Sequence, residues 1–324
     1  MLTGKTFADV YEKLLKEVLN NGEEAKPRGL LTKELIQETF CIKDPTSNLI
    51  YIPGRNFSLV HAILESLIIF TPDNTVKVAG HFNERIAQFS DNGETLHGAY
   101  GKRISFFIPV VIDKLRKDPD SRQAVLTIHE ANDTALNTKD PPCTTTLQFT
   151  IRKNKLNMHV YMRSNDLIWG TPYDVFVFTN MQQVIANTLG IQVGTYYHTA
   201  TSLHIYENYF EKAKNYLGKC KAITHNNKAK YYAWRQAAEV YKQFLHDNSN
   251  DSIDKALRTS YNCPEFAVLC IEEAFRGKNQ KFNSFIDVGT YAKYIYDNLD
   301  MSFTKPFTKR WVKAGIVSPE WYNK

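Results

Sequence analysis

The chain has 324 residues, of which 43% are hydrophobic, 23% charged and 13% aromatic, enough apolar material for a sizeable core and too much for a long disordered polymer. Forty basic residues against 34 acidic ones leave a net charge of +6, which suits anionic ligands. The cations are spread along the chain with only a mild excess at 212–230, which reads as a solvated helix face and argues against a nucleic-acid-binding surface. The spacing of Phe7, Val10, Tyr11, Leu14, Leu15, Val18 and Leu19 predicts an amphipathic helix over 5–20. A loop at 21–29 and short extended segments at 35–42 and 49–52 follow. Residues 57–70, FSLVHAILESLIIF, predict an apolar helix carrying one carboxylate, Glu65. Residues 81–101 mix a helix start with glycine-containing turns, and another helix is predicted over 106–117, started or broken at Pro109. QAVLTIHE, TTLQFTIRK, LNMHVYMRS and TYYHTATSLHIYE, rich in β-branched and aromatic residues, then predict strands. FVFTNMQQVIANTLG between them predicts a buried helix capped at Gly190. Beyond about 208, AKYYAWRQAAEVYKQFLHD, CPEFAVLCIEEAFRG and GTYAKYIYDNLD predict helices. The expected fold class is α+β, with a catalytic domain over 1–215 and a helical extension over 216–324 packed on the same body.

Five cysteines at irregular spacing, Cys41, Cys143, Cys220, Cys263 and Cys270, fit no disulfide framework. No CxxC pair or HExxH segment suggests zinc, so no metal is expected. No apolar run reaches signal-peptide or membrane-spanning length, and a reducing cytoplasm is the expected setting. Cys143 follows two prolines and precedes a predicted strand, which keeps it out of a helix. It would need a cation such as Arg163 or Arg122 nearby to become a thiolate. On these residues alone it reads first as a small buried thiol.

The surrounding words change that reading. DPDSRQAVL, PPCTTTLQF, MRSND, GTPYDVFVF and GTYYHTATSLHIYE, with YGKR before them, resemble the signature blocks of the thymidylate synthase family, including its cytidylate hydroxymethylase branch. The resemblance runs from about Arg28 to Tyr206 and implies a mixed sheet with surrounding helices. It implies that Cys143 is the nucleophile that adds to C6 of a pyrimidine nucleotide, making C5 reactive toward the one-carbon unit of 5,10-methylenetetrahydrofolate. Arg28 and Arg163 match phosphate-binding arginines, and Ser164 a phosphate-contacting hydroxyl in the same block. Arg122 matches an arginine reaching the partner's phosphate site across a homodimer, although Gln123 stands where the family usually has a second arginine. His204 and Tyr206 match the pair on the sugar 3′-hydroxyl, and Asn165 falls in the substrate-binding block. Asp166 is implied in folate contact, with Gly170, Ile86 and Phe89 on the same side. Glu65 matches a water-organising acid/base, and Tyr100 and His198 also fall in matched blocks; a strand-packing role for His198 is an equal alternative.

Asp174 carries the specificity. Thymidylate synthases have asparagine at the matching position, complementary to uracil. A carboxylic group there accepts from the 4-amino group of cytosine and, when protonated, donates to N3. A helix cap after Pro172 is its alternative role. Ile86 and Phe89 stand near the positions of two family tryptophans, and VSPEWYNK shows no counterpart of the family's closing tail. Both departures favour water over hydride at the last step. The expected activity is therefore a 5-hydroxymethyltransferase acting on dCMP, with CMP as second candidate. Methylation of dCMP, a dUMP-using enzyme and a non-catalytic nucleotide-binding relative are the alternatives.

Overall fold

The computed structural model describes residues 1–247, 249–260, 262–275, 294–295 and 297–299. Strand β1 (Leu2–Gly4) leads into α1 (Phe7–Asn21). Thr6 caps that helix: its hydroxyl accepts from the Asp9 amide, and the Asp9 carboxylate accepts from the Thr6 amide. Its predicted apolar stripe is buried from Phe7 to Val18. After β2 (Glu23–Ala25) comes β3 (Thr32–Ile42), longer than the expected segment because it pairs along nearly its whole length with β9 (Gln192–Tyr206). β4 (Leu49–Tyr51) precedes α2 (Leu59–Ile68), which starts where the Ser58 hydroxyl accepts from the His61 amide. Short α3 (Val76–Ala79) and α4 (Tyr100–Ile104) flank a turn-rich stretch, and α5 (Ile108–Lys117) has Pro109 in its first turn, where a missing N–H costs nothing. β5 (Val125–Thr127), β6 (Thr144–Arg152), β7 (Lys155–Met162) and two-residue β8 (Asn165–Asp166) lead to α6 (Gly170–Leu189).

The sheet runs β1-β3-β9-β7-β6-β5, with β2 also on β3 and β8 also on β9. It is mixed: β3–β9, β6–β7 and β5–β6 are antiparallel, while β1–β3, β7–β9 and β8–β9 are parallel. Helix α6 lies on the sheet against β7 and β9, and α2 packs on α6. It is buried almost all round, which explains its weak amphipathic pattern. Its buried polar side chains each find at least one partner, though not for every atom: Gln182 donates to the Leu156 carbonyl at 2.8 Å while its Oε1 has no partner among the described residues, and Asn48 donates to Thr179 at 2.9 Å. The helix begins six residues before the sequence pattern suggests, so Asp174 lies inside its first turns and is not its cap. It ends where expected, with Gly190 at φ 71°.

After β9 come α7 (Phe210–Tyr216), β10 (Lys221–Ile223), α8 (Tyr231–Asp247), α9 (Asn250–Ser260) and α10 (Pro264–Phe275). β10 pairs back onto β4, and Asn227 is held by Gln183 and Asn180 of α6. α8 packs on α2 and α6, and α10 on α2. Buried carboxylates of α10 reach the body: Glu265 contacts His225 at 2.8 Å and Glu273 contacts His81 at 2.5 Å. The tail at 317–324 and most of the helix expected over 289–300 lie outside the described residues. Among the described residues no helix is long and apolar enough to cross a membrane.

One buried ion pair braces the turn-rich side. The Arg103 fork donates to both Asp133 oxygens at 2.5 and 2.9 Å, and His97 sits 2.7 Å from the same carboxylate. Arg103 holds the Asp133 carboxyl well below its ordinary value of 3.8. A depressed folded-state pKa contributes stability that is present above the unfolded value and lost as pH falls below it. Asp133→Ala should therefore cost about 3–5 kcal/mol near pH 7, because it strands a buried guanidinium. Urea unfolding of the variant and the parent should show this difference shrinking below pH 4; a shift under 1 kcal/mol would reduce the pair to decoration.

Candidate active site

The Cys143 loop is held by the strand beside it. The Arg163 amide donates to the Cys143 carbonyl at 2.9 Å, placing the half-buried thiol where β6 begins and β7 ends. The Arg163 side chain folds back over the loop, donating to the carbonyls of Pro142 and Pro141 at 2.9 Å each, with Nη2 3.7 Å from Sγ. From the other side the Tyr100 hydroxyl accepts from the Thr144 amide at 3.2 Å. Burial pushes the Cys143 thiol up; Arg163 and then Arg28 pull it down, while Asp174 and Asp140 push it higher. The nucleophile's state is thus set by which charges surround it, and a phosphate dianion on the arginines would alter that balance. Arg163→Met should move the pH midpoint of Cys143 alkylation upward and slow iodoacetamide labelling at pH 8 by roughly fivefold or more. Peptide mass spectrometry reads the labelling. Arg163→Lys should fall between the two, and an unmoved midpoint in the methionine variant would remove Arg163 as the balancing cation.

Beside the thiol lies a cavity of about 230 Å³. Glu65, Ile86, Phe89, Tyr100, Asp140 and Asp174 are among its lining residues. Three of its carboxyls, Glu65, Asp140 and Asp174, are pushed upward, each by burial first, and two of them far enough to matter near neutral pH. Glu65 on α2 is pushed up to about 7 by burial. His61, one turn earlier, stands 3.4 Å from Glu65 but is itself buried and pushed down to about 4, so it is neutral and does not offset a charge on Glu65. Asp174 is pushed up to about 7, by burial first and then by Glu65 and Asp166, against a hydrogen bond from Asn165. Near pH 7 both carboxyls therefore exchange protons readily, the condition an acid/base site needs.

The remaining expected residues divide by location. Asp166 lies beneath the start of α6, its Oδ1 accepting from the amides of Ile168 and Trp169 at 2.7 and 3.1 Å. β8 sets it in register with His204 on β9, and the His204 ring meets Tyr206 edge-on at 5.1 Å. Ser164 is half-buried between Arg163 and Asn165. Arg28 is exposed, at φ 53° in a short 3₁₀ turn, and its charge still reaches Cys143. Arg122 and Gln123 are exposed just before the edge strand β5. His198 is fully buried, stacked on Phe40 at 4.7 Å, with Nδ1 2.9 Å from the Tyr196 hydroxyl. Burial pushes it down to about 3, which leaves it neutral and uncharged in the sheet's core. Tyr196, its hydrogen-bonded neighbour, is fully buried and is pushed up by burial first and then by the charge of Asp174.

Sequence reasoning passed over His61, Asp140 and Tyr196. His61 was legible as the i,i+4 neighbour of Glu65 on a helix. Asp140, whose Oδ2 accepts from the Gly98 amide at 2.8 Å, joins the cavity through a long-range contact that no local pattern reports. Among the described residues no group of three His, Cys, Asp or Glu side chains could hold a metal ion.

The chain matches the family model described as thymidylate synthase over residues 9–227, more than half its length. It is 33% identical over 222 residues to a deoxyuridylate hydroxymethyltransferase of Bacillus phage SP01, covering 63% of this chain and 58% of that protein. Proteins of the same name from Pseudomonas phage M6 and Delftia phage PhiW-14 are 32% identical over 176 residues and 28% identical over 193 residues. Those matches cover 52% and 55% of this chain and 50% and 54% of the two proteins, so the chain spans little more than half the length of these relatives. With Glu65 and Asp174 lining one cavity, Arg163 beside the Cys143 thiol, and this match over residues 9–227, the chain belongs to the thymidylate synthase family.

Proposed function

We propose that the chain transfers a one-carbon unit to C5 of a pyrimidine nucleoside monophosphate, prefers dCMP, and leaves a 5-hydroxymethyl group. The observation that carries this reading is Asp174, an acid with a pKa pushed up to about 7 within electrostatic reach of the Cys143 thiol. The thiolate of Cys143 adds to C6, forming a C–S bond and pushing the ring electrons toward C5 and N3. A protonated Asp174 donates to cytosine N3 as that charge grows, and its second oxygen accepts from the 4-amino group. 5,10-Methylenetetrahydrofolate supplies the one-carbon unit when bound. The apolar wall of Ile86, Phe89 and Phe178 with the carboxyls of Glu65 and Asp174 fits a flat ring that also makes hydrogen bonds, and in this reading Asp166 and Gly170, which neighbour Asp174, contact it too. Glu65 takes and returns protons through water at C5. Once C5 carries its exocyclic methylene, water adds there as Cys143 leaves C6, and no tryptophan stands at Ile86 or Phe89 to keep water out.

Arg163, Arg28 and Ser164 hold the phosphate in this reading, and His204 and Tyr206 hold the sugar. Arg122, exposed at the sheet edge, completes the phosphate site of a second copy in a homodimer. Residues 216–324 act as an extension of the 1–215 catalytic domain on the same body, a view supported by the pairing of β10 with β4. A second reading, dUMP as substrate, is favoured by the names of the phage relatives. Incubation of the pure protein with dCMP, CMP or dUMP and the folate decides between them by mass. A gain of methyl, or turnover of dUMP alone, would sink the first reading. Dihydrofolate absorbance should stay flat, because only the methylating route forms it.

A further inference from the structure

Asn165 falls in the block expected to bind substrate, yet it is 2% exposed and its carboxamide is engaged at both ends within the protein. Thr171, itself fully buried, donates its hydroxyl to Asn165 Oδ1 at 2.8 Å. Asn165 Nδ2 in turn donates to Asp174 Oδ2 at 2.7 Å. This orientation satisfies all three side chains whether Asp174 is ionised or carries its proton on Oδ1. The reverse orientation would bring the amide oxygen to within 2.7 Å of a carboxyl oxygen, an approach of two acceptors unless the proton sits on Oδ2. Gly170 keeps the space for this contact: a Cβ there would lie 3.2 Å from Asn165 Nδ2 and 3.3 Å from Asp174 Oδ2.

The orientation bears on base choice. A carboxyl group whose proton moves freely between its oxygens presents donor and acceptor in either order. It therefore matches cytosine, with N3 accepting and the 4-amino group donating, and equally matches uracil, with N3–H donating and O4 accepting. A carboxyl held in one protonation pattern matches only one of them, and the wrong base leaves buried groups unpaired.

We infer that Asn165, oriented by Thr171, is a specificity-positioning residue that fixes the donor–acceptor order Asp174 presents and so confines recognition to cytosine. The inference rests on the reading of Asp174 as the base-recognition group, but not on turnover. Asn165 acts through Asp174 and touches no base itself.

The test is the ratio of dissociation constants for dUMP and dCMP, measured by calorimetry on the full chain. The parent protein should bind dCMP more tightly. Asn165→Ala and the near-isosteric Thr171→Val should each narrow the ratio at least tenfold, chiefly because dUMP binding improves. Placing Asn165→Ala on top of Asp174→Asn should leave the ratio of the single Asp174→Asn variant unchanged, since the group being positioned is gone. Near-ultraviolet circular dichroism identifies variants that retain native packing, and Thr171→Val keeps the test open should Asn165→Ala fail to fold. A merely structural role would weaken both nucleotides equally; an unchanged ratio in a folded variant overturns the inference. Absence of turnover in the parent protein, with these ratio changes intact, would overturn the reaction proposed above and leave the role of Asn165 standing.

Discussion

Cys143→Ser should abolish turnover, by at least about 10³-fold, while nucleotide binding changes by no more than a few fold. The substitution replaces one atom at the start of β6 and loses only the long 3.7 Å contact from Arg163 to Sγ, because Arg163 also bonds the carbonyls of Pro141 and Pro142, which remain. A serine hydroxyl is far weaker as a nucleophile toward C6 at neutral pH, and no base among its described contacts would compensate: Tyr100 is pushed upward by burial and keeps its proton. Tritium release from C5-labelled dCMP measures the covalent step, and calorimetry measures binding. Release above one hundredth of the parent rate would show that the reaction does not pass through a Cys143 adduct. Loss of binding in step with loss of turnover would show that the variant has collapsed the loop.

The fold was legible where local chemistry and periodicity agree. The apolar stripe of α1, the strand alternation of β6, β7 and β9, and the Gly190 cap all appear where the residues predict them. The beginning of α6 was not legible, because Gly170, Thr171 and Pro172 look like a turn by composition. A local turn comes first: Asp166 accepts from the amides of Ile168 and Trp169, and the helix then begins at Gly170 with no side-chain cap. That shift moved Asp174 from a cap position to a cavity wall.

Sequence names candidate site residues but not what each side chain touches. Asn165 resembles a ligand-binding residue in a line of sequence, and only its burial and its two hydrogen bonds show that it is spent on Asp174 and Thr171. His198 resembles a titrating group, and only its stacking on Phe40 shows why burial holds it neutral. Both cases have one cause: donor and acceptor satisfaction is a three-dimensional property, and a residue type carries the capacity for it without the partner.

Asp174→Asn should turn the base preference from cytosine toward uracil, lowering kcat/KM for dCMP relative to dUMP by about 10²-fold or more. A carboxamide cannot pass a proton to N3 as negative charge develops there, but it pairs with N3–H and O4. The pH dependence carries the same mark. The folded-state pKa of Asp174 is pushed up from 3.8 to about 7, so the acid form needed for cytosine is lost as pH rises through 7. In the parent protein kcat/KM for dCMP should fall by up to tenfold per pH unit above that point. In Asp174→Asn the limb due to this group disappears, and Glu65→Gln separates any limb that Glu65, also near 7, contributes. Stability should move in the opposite sense to activity. A carboxyl raised in the folded state binds more protons than the unfolded chain between 3.8 and about 7, so stability falls as pH rises across that window. Asp174→Asn removes this slope and should leave the variant more stable than its parent at pH 8, by ~1–2 kcal/mol after solvent screening of a partly exposed group, with little difference at pH 4. Thermal melts at the two pH values measure it. Equal melting shifts at both would mean that Asp174 is ionised at no cost, and the argument from its proton to cytosine would fail with it.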